Sequence, residues 1–227
     1  MKCIAIIPAR GGSKRFPRKN IYLFKKRPII SYTIRAALKS NSFHKVVVSS
    51  EDEEIKNISK KYGAEIHHRP KELSGDRVKV ADVLLNCIDF YEKNKEKFDV
   101  VCCLFPTSPL RDYLDIRSVI KLIKKEKGDY VMAITKMPYP YWQSLKEKEK
   151  NLFYPVWPKL IDKSSQEMGE FYVDNGSTYA IKIDALKKYK SLNGKKIIGY
   201  KMDFKKSIDI DYYEDFELAK LFYEKIK

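Results

Sequence analysis

The sequence predicts an α/β protein: a doubly wound, mostly parallel sheet with helices on both faces. Three observations carry this. Residues 4–7 form an apolar run without alternation that ends at Pro8 and opens into a loop with two glycines, as expected of a strand buried on both faces of a parallel sheet. Short apolar runs then alternate with amphipathic stretches along most of the chain. Between Lys136 and Asp174 that rhythm stops and afterwards resumes, marking a small inserted lobe within one domain spanning residues 1–227.

In order, Pro28 opens an amphipathic helix to Lys39, with Ile30, Ile34, Ala37 and Leu38 on one face, since proline fits a first helical turn. Residues 46–50 are a second strand. Asp52 is an N-cap for a helix that stops near Tyr62-Gly63. Residues 64–67 form a third strand running into Arg69-Pro70. Residues 79–96 read as a helix with Val83, Leu84, Cys87, Ile88 and Tyr91 inward, and 99–104 as a buried strand. Helix 112–126 and strand 130–135 follow. The lobe, about 136–174, has four prolines at 138, 140, 155 and 158, both tryptophans and no helical period, which suits a β-rich insertion whose exposed aromatics would serve an interface or a sugar platform. Strands at 177–183 and 196–202, a strand-like 207–211 and a helix over 213–226 complete the chain. Ligands of such sheets sit beyond the carboxyl ends of the strands, so the loops at 9–20, 69–76 and 105–111 are expected to converge on one crevice.

Composition limits the partners. Apolar residues at 44% and charged residues at 33% suit a globular chain of 227 residues that needs no disulfides. No apolar run is long enough to cross a bilayer, and the N-terminus enters a strand without a secretory apolar segment, so a cytoplasmic location is expected. Cys3, Cys87, Cys102 and Cys103 lack metal or redox spacing and are expected to be buried thiols; His44, His67 and His68 lack ligand spacing. The net charge of +16 is spread along the chain without an aromatic-interleaved basic module. It reads as a solvated face that favours anionic small substrates, with no nucleic acid and no membrane as partners.

Two stretches carry chemistry. In Ala9-Arg10-Gly11-Gly12-Ser13-Lys14 the glycines let the backbone approach a ligand and free N–H groups to cradle phosphate oxygens, while Arg10 and Lys14 neutralise charge. The spacing fits neither G-x-x-x-x-G-K-[ST] nor G-x-G-x-x-G. The composition describes a polyphosphate nucleotide site at the end of a first strand. Near the C-terminus, Asp209 and Asp211 lie two apart, so on a strand both carboxylates share one face and Ile208 and Ile210 the other. Paired carboxylates repel unless a cation lies between them, and Mg²⁺ shared with substrate phosphates is the natural occupant.

The N-terminal string resembles the signature of the CMP-sialic acid synthetases, the acylneuraminate cytidylyltransferase family, which includes legionaminate and pseudaminate enzymes. Val47 to Ser50 with Asp52, Arg69-Pro70, Leu73 with Asp76, Pro106-Thr107-Ser108-Pro109-Leu110-Arg111, Asn175-Gly176 with Tyr179, and Ile208-Asp209-Ile210-Asp211 are similar to that family's pattern, in family order. The resemblance implies a Rossmann-like fold with a dimerisation lobe, hence a homodimer, and transfer of CMP from CTP to the anomeric hydroxyl of a nonulosonic sugar acid. It implies that Ala9, Arg10, Gly11, Ser13, Lys14, Asn20 and Arg69 hold CTP, with Arg10, Lys14 and Asp211 catalytic. Asp209 and Asp211 would bind Mg²⁺, and Phe105, Gln166, Asn175 and Tyr179 would face the acidic sugar.

This chain departs from the pattern on the sugar side. Phe105 stands where sialate enzymes carry Gln, Ser164 and Ser165 precede Gln166 where they carry Arg, and Arg77, Val78, Lys79 and Val80 replace small hydroxylated residues. Asp76-Arg77 and Phe105 are similar to the pseudaminate branch, Asn175-Gly176 to the sialate and legionaminate branch. The competing readings are a nucleotidyltransferase for another acceptor (a Kdo-like acid or a sugar phosphate), a non-catalytic nucleotide-binding module on the same fold, and a basic nucleic-acid binder.

Overall fold

A computed structural model describes residues 1–226. Seven strands form the central sheet: β1 (Cys3–Pro8), β4 (Lys45–Ser50), β5 (Glu65–His68), β6 (Val100–Leu104), β7 (Tyr130–Lys136), β10 (Tyr172–Lys182) and β11 (Ile198–Lys201), in the order β11-β7-β10-β6-β1-β4-β5. All pairings are parallel except those of β10, which runs antiparallel to both β6 and β7. Two short ribbons accompany the sheet: β2 (Leu23–Phe24) with β3 (Arg27–Pro28), and β8 (Leu145–Glu149) with β9 (Leu152–Pro155).

The unbroken apolarity of the first strand follows from its position. Cys3, Ala5 and Ile7 enter one core with α1 (Ile29–Lys39), α2 (Glu53–Lys61) and α4 (Tyr113–Lys125), while Ile4 and Ile6 enter a second with α3 (Val80–Lys93) and α6 (Ile183–Tyr189). β6 divides in the same way: Cys102 faces the first core, Cys103 the second. All four cysteines are buried and free. Asp52 caps α2 by accepting from the Ile55 N–H at 2.9 Å, and Gly63, at φ +92°, follows its end.

The structure corrects the element boundaries in four places. Pro28 lies in the β2–β3 ribbon, and α1 starts at Ile29. β10 begins at Tyr172, so β7 and β10 carry the sheet into the lobe, whose remainder is the β8–β9 hairpin and a one-turn helix α5 (Ser165–Met168). The seven-residue α6, too short to display a helical period, has no counterpart in the sequence reading. Most consequential, residues 207–211 are not a strand. Their alternation has another origin: Ile208 and Ile210 plug a third apolar cluster with Phe16, Phe24, Ile29, Leu110 and Phe216 of α7 (Tyr213–Ile226), and the aspartates are left on the other side.

Gly176 sits in the β10 bulge at φ +64°, and a Cβ there would stand 2.7 Å from Asp209 Oδ2. Gly176→Ala therefore combines a left-handed backbone penalty with a clash. It is expected to cost about 1–3 kcal/mol of stability in chemical denaturation, and to lower turnover because Asp209 must move.

Candidate active site

Beyond the carboxyl ends of β1, β5 and β6 lies a crevice of about 310 Å³. The loops after β1, β5 and β6 meet there, joined by the 207–211 segment. Of the residues singled out in the sequence, Arg10, Ser13, Lys14, Asn20, Arg69, Phe105, Asp209 and Asp211 line this one space.

Ala9 and Gly11 shape the loop instead of lining the crevice. The Ala9 N–H donates to the Ser49 carbonyl at 3.0 Å and that of Gly11 to Glu51 Oε1 at 2.8 Å. A Cβ on Gly11 would meet Asp52 Oδ2 at 2.5 Å, so this position needs glycine for close approach. Asp52 is itself held by Arg18, 2.5 Å away, whose guanidinium holds the Asp52 carboxyl below its usual range.

The other three expected sugar contacts do not reach the crevice in this chain. Asn175 is buried, its amide donating to Ser207 Oγ at 3.0 Å and its oxygen accepting from Ser177 Oγ at 2.7 Å. Tyr179 is a core residue whose hydroxyl donates to Asp174; its ring meets Phe105 edge-on at 5.6 Å. Tyr179 thus supports Phe105 from behind. Gln166 is exposed on α5, out in the lobe.

The charges in the crevice are arranged in two opposed sets. Asp76, on the loop after β5, accepts from Arg10 at 2.7 Å and pairs with Lys14 at 2.6 Å. Asp211 pairs with Lys19 at 2.6 Å and Arg15 at 2.5 Å. Lys19 also donates to the Ile210 carbonyl at 3.0 Å. Sequence reasoning passed over Lys19. Its signal was its place directly before Asn20, in the short turn Lys19–Ile21 that carries both side chains to the crevice.

Asn20 donates to the Arg10 carbonyl at 2.9 Å, while its Oδ1 is buried without a partner, an acceptor available to a ligand. Arg69 is buried and anchored on Ser49, donating to its carbonyl at 2.6 Å. Ser49 Oγ lies 3.0 Å from His67 Nδ1. Burial, with the adjacent Arg69 charge, pulls His67 down to about 4, so the ring is neutral near pH 7 and adds no charge behind Arg69.

Asp209 accepts from Thr107 Oγ1 at 2.5 Å, and burial pushes its carboxyl above the usual range. Asp211 is oriented by the start of α7, where Asp215 accepts from the N–H groups of residues 211 and 212. The two carboxylates are hard oxygen donors at the edge of a cationic pocket. Mg²⁺ is commonly held by one or two carboxylates together with substrate phosphates, and this donor set fits that chemistry.

A family profile described as Cytidylyltransferase matches residues 4–227. The chain belongs to this family. It is therefore a CTP-dependent nucleotidyltransferase. It is 35% identical over 225 residues to a pseudaminic acid cytidylyltransferase of Campylobacter jejuni, covering 99% of this chain and 97% of that protein. An N-acylneuraminate cytidylyltransferase of Escherichia coli is 32% identical over 96% of this chain, which spans 51% of that protein's length. A CMP-N,N'-diacetyllegionaminic acid synthase of Legionella pneumophila is 33% identical over 79% of this chain and 77% of its own. The fold matches the solved structure of a CMP:2-keto-3-deoxy-manno-octonic acid synthetase complexed with CTP, at TM-score 0.73 and 15% identity, covering 100% of both chains.

The raised Asp209 carboxyl has a definite consequence for this cytidylyltransferase. An acid whose folded pKa exceeds its unfolded one destabilises the fold once ionised; the cost sets in as pH rises from the ordinary carboxylate range through the raised value. Asp209→Asn, which still accepts from Thr107, is expected to raise the melting temperature by a few degrees at pH 7 in metal-free buffer. The gain should vanish near pH 3, while turnover is lost at every pH. Calorimetry across that range checks both signs.

Proposed function

We propose that the chain transfers CMP from CTP to the anomeric hydroxyl of a nonulosonic, sialic-acid-like sugar acid and releases pyrophosphate. One observation carries the reading: a single crevice holds a cationic glycine loop opposite a carboxylate pair, with an unpartnered buried acceptor, Asn20 Oδ1, between the loops. The names of the relatives support the acceptor class.

In this reading Arg10 and Lys14 exchange Asp76 for the triphosphate, and Arg69, fixed on Ser49, meets the nucleotide from the β5 side. Asn20 Oδ1 accepts from a ribose hydroxyl or the cytosine amine. Lys19, beside Asp211, is placed to neutralise charge that develops on the α-phosphate. Asp209 and Asp211 would hold Mg²⁺, which when bound supplies charge neutralisation at the α-phosphate and orients the triphosphate. The carboxylate pair takes the proton of the attacking hydroxyl. Direct displacement needs no enzyme nucleophile, so catalysis is positioning and charge stabilisation.

The lobe exposes Tyr139, Leu152, Phe153, Tyr154 and Trp157. An apolar surface of that kind supports a homodimer in which the lobe, with Gln166, approaches the partner's crevice. Among the described residues no helix is long and apolar enough to cross a membrane, and dependence on CTP supports a cytoplasmic location.

The test is pyrophosphate release from CTP and Mg²⁺ with sialate, legionaminate, pseudaminate and Kdo. Release is expected with a nonulosonic acid and not with Kdo. Asp211→Ala should lower kcat by about 10²-fold or more with an unchanged melting transition. Release with Kdo alone would move the chain to the other acceptor class, and full activity of Asp211→Ala would place the metal elsewhere.

A further inference from the structure

Arg111 is the largest fully buried side chain of the protein, 2% exposed, and no carboxylate among the described residues forms an ion pair with it. Burial pulls its guanidinium down to about 10, and its Nε has no partner. A lone buried cation is costly, and an apolar side chain of similar volume would avoid that cost. What an apolar replacement could not supply is the set of hydrogen bonds that the Arg111 fork makes.

The fork joins three elements. Nη1 donates to the Ser177 carbonyl of β10 at 2.6 Å; Nη2 donates to Thr33 Oγ1 of α1 at 2.6 Å and to the Phe105 carbonyl at 3.3 Å. Thr33 Oγ1 in turn contacts the Phe105 carbonyl at 3.3 Å. The turn after β6 is thereby pinned against α1 and β10. On the opposite side of that turn, Thr107 presents its hydroxyl to Asp209 and its carbonyl to the Ile210 N–H at 3.0 Å, and Ser108 Oγ donates to the Gly176 carbonyl at 3.3 Å. Arg111 does not touch Thr107 and does not line the crevice; it acts on the two residues before Thr107, holding the Phe105 carbonyl directly and, through Thr33 Oγ1, which lies 3.5 Å from the Pro106 carbonyl, the peptide that leads into Thr107.

We propose that Arg111 is a positioning residue for the reaction: its guanidinium fork fixes the turn that aims Thr107 at Asp209, so that this carboxylate meets the metal–nucleotide in one orientation. Lysine keeps the charge and loses the fork. Methionine loses both and keeps the volume. The inference rests on the nucleotidyl-transfer reading, and a wild-type protein that turns over no acceptor would remove that reading by itself.

The experiment is a double-mutant cycle of Arg111→Lys and Thr107→Val with three readouts: kcat, CTP affinity without metal by calorimetry, and Mn²⁺ affinity of the CTP-loaded protein by electron paramagnetic resonance. Partners of this kind that orient ligating groups are worth about 10–100-fold. Each single variant is expected to lose at least tenfold in kcat and in Mn²⁺ affinity. CTP affinity without metal should move less than threefold, and the double variant should be no worse than either single. Additive losses, or loss of CTP affinity in step with kcat, would show that Arg111 does not act through Thr107 and overturn the inference. Because the Mn²⁺ readout needs no acceptor, it decides the question even if the acceptor is wrong. Arg111→Met, followed by thermal melting, separates charge from fold: a folded protein with the lysine phenotype is expected, and wild-type metal affinity in it would overturn the proposal.

Discussion

The crevice depends on the insertion of Ile208 and Ile210 into the cluster of Phe16, Phe24 and Phe216. That insertion is an ordinary burial of apolar area, worth about 1.5–3 kcal/mol per side chain, yet it decides where the charged residues go. With the isoleucines inside, Asp209 between them and Asp211 after them cannot follow. Because Phe16 belongs to the loop after β1, the same cluster brings that loop, with Arg15 and Lys19, against Asp211. One apolar contact therefore assembles the cationic and anionic halves of the site from opposite ends of the chain.

The two halves are neutralised internally, and magnitude decides what that means. Arg10, Lys14 and Asp76 have side chains 36%, 80% and 45% exposed. Exposed pairs of this kind contribute about 0–1 kcal/mol, so in the proposed reading a triphosphate would displace Asp76 at little cost. Arg69 differs: it is buried, lacks a carboxylate partner at salt-bridge distance among the described residues, and hangs from Ser49 by its own hydrogen bonds. In the proposed reading the exposed cations would select charge, while the buried one, fixed on Ser49, would select geometry. His67 fits the same logic, since a neutral ring behind Arg69 leaves that guanidinium as the local charge.

Much of this was legible in the sequence because it rests on local patterns. Parallel strands buried on both faces leave unbroken apolar runs, the helix capped by Asp52 carries its start signal, and the glycine loop carries its chemistry in six residues. The sequence also disclosed the alternation at 208–211, but its cause was long-range: a plug into an aromatic cluster imitates a strand's period of two. The antiparallel sense of β10 and the burial of Asn175 and Tyr179 were illegible for a related reason. A polar residue in the bulge, Asn175, and one just after it, Tyr179, read as facing a ligand until their partners, Ser207 and Asp174, are in place. Lys19 was hidden by composition, one lysine in a chain with 46 basic residues.

Three departures from the resembled pattern, Val78, Val80 and Phe105, share one wall of the crevice, where Val83 joins them. Val78, Val80, Val83 and Phe105 line the crevice on the side of α3 and β6, and Phe105 rests on Tyr179, whose hydroxyl is occupied by Asp174. These side chains present carbon and no hydrogen-bond donors. A hydroxyl pressed against this wall gives up its water without replacement, which costs about 1–3 kcal/mol, whereas a methyl group there gains by leaving water. In the proposed reading, phosphate recognition and acceptor choice fall to different residues: the loop after β1 would serve the cytidine triphosphate, and the wall of valines and Phe105 would select the acceptor that fits beside it.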